Sequence, residues 1–233
     1  LPEANNNEQC IDDITNFYKK IAATKTSVVS IGGDHSITGG ILQGLAANNL
    51  SLTNGKKISL LHIDAHTDTF SQLDHFLGAK KSAAHWGAYL VDDGIVDPNR
   101  SMQIGMRGNP RTLDWLQPSY DLGYNVVTMQ EFKQKGIQEV ISETLDKLGD
   151  NPIYITFDLD SLDASIAPAV SNIEPSFTGF SMEEAKALIQ SVKNKNVIGG
   201  DVVCLMPTKD SPNNITSMVA ASIMFEIISI IAY

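Results

Sequence analysis

In the stretch "LLHIDAHTDTF", Leu60 to Phe70, an apolar run ends in Asp64, His66 and Asp68, spaced two apart. Residues two apart in an extended strand share a face. Two carboxylates and an imidazole would therefore project together from the end of a buried strand. "ITFDLDSLD" repeats the device with Asp158 and Asp160, and "VVSIGGDHS" places His35 just beyond a strand and its glycine turn. Four carboxylates on one rim repel one another and resist ionisation unless cations compensate. Aspartate and histidine with hard oxygen donors suit Mn²⁺ or another first-row divalent ion better than a structural zinc. Six donors exceed what one catalytic metal needs. Two metals about 3.5–4 Å apart, sharing carboxylates, would use all six. Each motif alone has a plainer reading: DxHxD as a solvated turn or helix cap, "GGDHS" as a glycine turn with a cap at Ser36. Their joint occurrence at three strand ends favours the metal centre.

The elements that must position these residues are also legible. Residues 26–33, 57–64, 101–108, 125–129, 152–160 and 197–206 are short, β-branched and bounded by turn residues. Between them, "IDDITNFYKKIAA" and "MQEFKQKGIQEVISETLDKLG" have helical spacing, the second stopping at Gly149. "SMEEAKALIQSVK" opens with a capping box of Ser181 and Glu184. A last helix, apolar on most faces and expected to be packed, runs from about Asn214 to the terminus. Apolar strands alternating with helices predict an α/β fold, three-layer αβα with a mostly parallel central sheet. Ligands bind such sheets at the carboxyl ends of the strands. No repeat or linker divides the chain, so residues 1–233 are read as one domain.

The formal net charge of −10 and the absence of a basic stripe exclude nucleic acid and favour a cationic substrate. Two divalent metals would neutralise four of those charges in place. Cys10 and Cys204 make no disulfide framework, which favours a reducing compartment: the cytoplasm, with an organelle as the alternative. "SIMFEIISIIAY" is interrupted by Glu226 and too short to span a bilayer, so a soluble protein is expected. The opening "LPEANNNEQ" reads as a loop or trimmed end, not a targeting peptide.

The motifs "GGDHS", "HIDAHTDTF", "DPNRSMQIGMRG", "YITFDLDSLD" and "DVV" before an apolar helix occur in the order of the arginase/agmatinase (ureohydrolase) family. Residues 15–233 resemble that family, its agmatinase branch most closely. The resemblance implies a parallel sheet between helix layers and a binuclear centre of two Mn²⁺, with Ni²⁺ as an alternative. The implied reaction is hydrolysis of a guanidino compound to urea and an amine. Position by position, His35 and Asp68 would bind the first metal, and His66 and Asp160 the second. Asp64 and Asp158 would bridge them. A bridging hydroxide, hydrogen-bonded by Asp68, would attack the guanidinium carbon. A histidine shuttles a proton to the leaving amine in the family; His85 fits that role better than His75. His62 reads as support for a ligand or as a core histidine. The family also implies a homo-oligomer, a trimer or hexamer, and several dozen residues ahead of this segment that the chain lacks.

Four positions depart from the family pattern. Cys204 stands where a glutamate grips the substrate guanidinium. Leaving a buried cation without that partner costs roughly 3–5 kcal/mol. Cys204 is a substitute substrate contact as a thiolate, or else a small core residue. The loop "DASIAPAVSNIEPSFTGFS" lacks the family's glycines, and Glu174 within it is a replacement carboxylate or a solvated loop residue. Trp86 replaces a glycine. Phe70 replaces a polar residue that reads arginine's amino-acid end, which makes arginine a poor substrate guess. The expectation is an agmatinase-like amidinohydrolase acting on a small cationic guanidino or amidino compound. The alternatives are a catalytically silent metal-binding subunit and a hydrolase of a formimino or amidine substrate.

Overall fold

Strands buried on both faces lose the alternation of apolar and polar residues, and four of the six strands here are buried along their whole length. The computed structural model describes residues 6–47, 52–71, 80–108, 112–175 and 178–233. The strands are β1 (Val28–Ile31), β2 (Ser59–Ile63), β3 (Met102–Met106), β4 (Asn125–Thr128), β5 (Ile153–Asp158) and β6 (Val197–Val203). They fall in the six runs expected from the sequence. They form one sheet in the order β1-β6-β5-β2-β3-β4, with every pairing parallel. β2, β3, β5 and β6 are the wholly buried strands.

Helices cover both faces. α1 (Asn7–Ala22), α2 (Ser36–Ala46) and α3 (Trp86–Asp92) lie on one side, and α4 (Gln117–Leu122) follows in the chain. α5 (Met129–Lys135), α6 (Ile137–Leu148), α7 (Met182–Ser191) and α8 (Ile215–Ile231) lie on the other. Strand parity divides the core between them. Ile153, Ile155 and Phe157 of β5 and Leu61 and Ile63 of β2 pack with α5–α8. Tyr154 and Leu60 pack with α1–α3. His62, Asp64, Thr156 and Asp158 share the parity of Leu60 and Tyr154 and so face the α1–α3 side.

Two helix expectations change. The stretch 129–149 is two helices, because Gly136 takes a left-handed φ of +82° that breaks the first and starts the second. α8 is packed on one face only. Val219, Ala220, Ile223, Ile227 and Ile230 are buried, while Met218 and Phe225 are 60% and 66% exposed. The capping box of Ser181 and Glu184 is present at the start of α7.

Candidate metal centre

Asp201 on β6 is buried, and its carboxylate accepts hydrogen bonds from Thr38 Oγ1 (2.9 Å), Tyr154 OH (2.9 Å) and Thr156 Oγ1 (2.6 Å). Because Thr156 donates its one proton to Asp201, it accepts from His35 Nε2, 2.8 Å away. The ring proton of His35 is thus assigned to Nε2, leaving a lone pair on Nδ1. That atom lies 3.0 Å from Asp64 Oδ2, 3.1 Å from Asp68 Oδ2 and 3.3 Å from Asp158 Oδ2, yet makes no hydrogen bond. A lone pair buried against three carboxylate oxygens is repulsive, unless a cation takes the point they face or the ring gains a second proton. The turn before α2 is fixed by Asp34 Oδ1, which accepts from Ser36 N at 2.8 Å. Ser36 is the first helical residue, and the N-cap position is His35, which makes no side-chain cap bond.

His66 repeats the arrangement at the end of β2. Its Nε2 is 3.0 Å from Glu174 Oε1, so Nδ1 turns inward, 3.2 Å from Asp160 Oδ2 and 3.5 Å from Asp64 Oδ1. Asp64 turns one oxygen toward each histidine. Its Oδ1 also accepts from His66 N, and its Oδ2 from His62 Nε2 at 2.8 Å. Gln103 Nε2 donates to His62 Nδ1 and to Thr67 O, which sets the His62 proton on Nε2. His62 therefore holds the Asp64 carboxylate in place. Beyond β5, Asp158 Oδ1 accepts from Asp160 N, and Asp160 Oδ2 is buried with no hydrogen-bond partner. Gly108 leaves room for the His66 ring, since a Cβ there would stand 2.6 Å from Nε2.

The structure thus brings His35, Asp64, His66, Asp68, Asp158 and Asp160 to one rim. Among the described residues, three overlapping groups each offer donor atoms within 4.8 Å of one another: His35, His62, Asp64 and Asp68; Asp64, His66 and Asp160; Asp158, Asp160 and Cys204. Asp68 holds a left-handed φ of +53°, a conformation costing a non-glycine residue about 1–2 kcal/mol. Such strain gathers at functional sites. Here Trp86 Nε1 donates to Asp68 Oδ2 at 2.8 Å, and the Trp86 ring lies against His35 and His62.

Charge in this cluster is out of the ordinary. Burial opposes protonation of His35, but Asp158, Asp64 and Asp68 outweigh it and hold its pKa well above the usual imidazole range. Burial likewise opposes charge on His66, and Asp160, Asp64 and Glu174 raise it well above. Burial would raise Asp64, yet His35, His62 and His66 hold it well below the carboxylate range. Asp160 is pushed well up by burial and by the Asp158 and Asp64 charges. Protons stand here where cations would otherwise balance the carboxylates. The inward Nδ1 atoms and the orphaned Asp160 oxygen fit divalent ions with oxygen and nitrogen donors.

The other expected residues fall at varied places. His85 is buried at the start of α3, its Nδ1 2.8 Å from Ser82 Oγ. His75 lies outside the described residues. Glu174 reaches the centre through His66. Cys204 is 5% exposed, and its Sγ lies 2.6 Å from Asp158 Oδ2. Burial and the Asp158 and Asp160 carboxylates push its thiol well up, so the metal-free chain carries no thiolate there. Three supports escaped the sequence reading. Trp86 stands out in the sequence only as a departure from the family pattern. Arg107 donates to Glu174 O (2.7 Å), Asp160 O (2.8 Å) and Leu162 O (2.9 Å), pinning the turn that carries Asp160 to the loop that carries Glu174. Its signal was a lone cation at a strand end, in "GMRG". The Thr38–Tyr154–Thr156 set on Asp201 had no local signal, because its members come from separate elements.

A wholly parallel sheet with carboxylates and imidazoles at its carboxyl rim defines an α/β protein with a metal-ligand cluster. The model of the Arginase family matches residues 2–229, and the chain belongs to that family. It is 35% identical to the mitochondrial guanidino acid hydrolase of Homo sapiens, over 92% of this chain and 58% of that protein. It is 34% identical to the mitochondrial agmatinase of Gallus gallus, over 94% of this chain and 61% of that one. The chain spans about three-fifths of the length of these two relatives. The solved proclavaminate amidino hydrolase of Streptomyces clavuligerus superposes with a TM-score of 0.86 at 27% identity, covering 99% of this chain and 72% of that one.

Proposed function

We propose that this chain hydrolyses the C–N bond of a small guanidino compound, in agmatinase-like fashion, to give urea and an amine. The observation that carries the reading is the pair of inward Nδ1 atoms, on His35 and His66, facing four buried carboxylates. We assign His35 and Asp68 to one ion, His66 and Asp160 to the other, and Asp64 and Asp158 to both. Two divalent ions bound there, Mn²⁺ or alternatively Ni²⁺, would supply nucleophilic water of lowered pKa near neutral pH.

The chain's own residues do the rest. Asp68, fixed by the Trp86 indole, accepts a hydrogen bond from the attacking water. His85 gives the leaving amine its proton. Backbone bonds tie its segment to the ligand segment on both sides, Phe70 N to Ala84 O and Gly87 N to Asp68 O. His66 is the most exposed of the six, its side chain 26% accessible, so substrate enters on its side. Glu174, touching His66 there, is the carboxylate that meets the cationic substrate end. Glu174→Gln should raise KM at least tenfold, and unchanged kinetics would remove that role.

The proposal extends to one domain over residues 1–233, assembled as a homo-oligomer, in the cytoplasm or a mitochondrion. Two of the relatives above are named mitochondrial. No helix among the described residues is long and apolar enough to cross a membrane. The test is urea release by the Mn²⁺- or Ni²⁺-loaded protein from agmatine, guanidinobutyrate, guanidinopropionate, arginine and guanidine, with metal counted on the same sample. Urea from any one supports the reading. No urea from protein holding two ions refutes it and favours a formimino substrate or a silent subunit.

A further inference from the structure

Cys204 directly follows β6, and β6 lies between β1 and β5 in the sheet. The thiol therefore enters the rim between the strand that leads to His35 and the strand that delivers Asp158 and Asp160. Its backbone is left-handed at φ +67°, and its N–H is bonded to Gly33 O. Sγ touches Asp158 Oδ2 at 2.6 Å. A second observation concerns its neighbour: Asp160, 3% exposed, carries an Oδ2 with no hydrogen-bond partner, 3.2 Å from His66 Nδ1. Sγ and one oxygen each of Asp158 and Asp160 lie within 4.8 Å of one another. A small core cysteine would be packed among apolar groups. This one is packed among the carboxylates of the centre.

We propose that Cys204 Sγ is a seventh donor to the two-ion centre, so that one of its two positions is a mixed thiolate, carboxylate and imidazole site. The inference rests on the two-ion reading above. A soft sulfur donor shifts that position from Mn²⁺ toward Zn²⁺, Co²⁺ or Ni²⁺. As the sulfur–metal bond forms, the thiol proton passes to solvent, as metal binding to a cysteine requires. The same assignment takes Cys204 out of substrate contact and leaves the cationic end of the substrate to Glu174.

The experiment is titration of the metal-free full chain with Co²⁺, followed by absorption and by metal counting, in the natural protein, Cys10→Ser and Cys204→Ser. Expected is a near-ultraviolet sulfur-to-cobalt band that saturates with one of two bound ions, persists in Cys10→Ser and is lost in Cys204→Ser. In competition, Cys204→Ser should lower the preference for Zn²⁺ over Mn²⁺ at one site at least tenfold. Two bound cobalt ions without the band in the natural protein would overturn the sulfur donor and leave the two-ion reading standing. Loss of the band in Cys10→Ser would place the sulfur elsewhere and also overturn it. Fewer than two bound ions in the natural protein would overturn both. If Cys204→Ser does not fold, the spectra of the other two proteins still decide.

Discussion

His35 and His66 turn the same ring atom inward for different reasons. His35 is set by a buried relay, Thr156 to Asp201, and His66 by a loop carboxylate, Glu174. Outer acceptors of this kind fix a ligand's tautomer and direction. The inner atoms of both residues converge on Asp64, whose two oxygens point two ways. Asp64→Ala should therefore take the metal content from two ions per chain toward none, with the fold kept. Two ions retained in that variant would refute the sharing of Asp64. The candidate ligands were legible because spacing by two at strand ends is a local pattern. Trp86 and Arg107 were not, because what they hold lies far away in the chain. Arg107 makes three bonds with one planar fork, which a lysine cannot reproduce. Arg107→Lys should lose about 2 kcal/mol of stability, read by denaturant unfolding, and lower kcat/KM at least tenfold. A variant with natural kinetics would separate the Glu174 loop from the site.

At the scale of elements, the rim is a consequence of parity and strand order. β2 and β5 are neighbours in register, so one parallel step brings Asp64 beside Asp158. The sequence displayed six strands through their β-branched runs, and it displayed a helix start through Ser181 and Glu184. It did not display the break at Gly136, because the apolar spacing continues through it and only the backbone angle changes. Nor did it display the open face of α8, since an apolar helix reads alike whether one or both faces are covered. Glycines matter at this scale through space as well as angle. Gly108 ends the approach from β3, and any Cβ there meets the His66 ring. Gly108→Ala should leave far-ultraviolet dichroism unchanged while weakening one metal position about 10–100-fold. Calorimetric titration giving two unaltered affinities would show that the ring can move aside.

For the whole molecule, the balance between protons and cations in the centre links metal loading to stability. In the metal-free chain, His35 and His66 are held well above their ordinary value near 6.5. Each binds its proton more tightly when folded than when unfolded, so the stability it adds is whole below about pH 6.5 and is lost as pH rises through the folded value. Asp160, raised by burial, acts in the same direction from lower pH. Asp64 acts oppositely, since its depressed pKa adds stability that fades only in acid. Above neutrality the raised groups win. The chelated protein should lose stability between pH 6.5 and 8.5, at most on the order of 1.4 kcal/mol per pH unit for each histidine still titrating. Bound ions replace those protons, so the loaded protein should show no such fall, and its advantage over the chelated form should widen as pH rises. Paired melting curves across that range give the result directly. Parallel curves for the two forms would mean that the ions and the protons do not compete for the same atoms. The inward Nδ1 atoms of His35 and His66 would then have lost their claim to the metals.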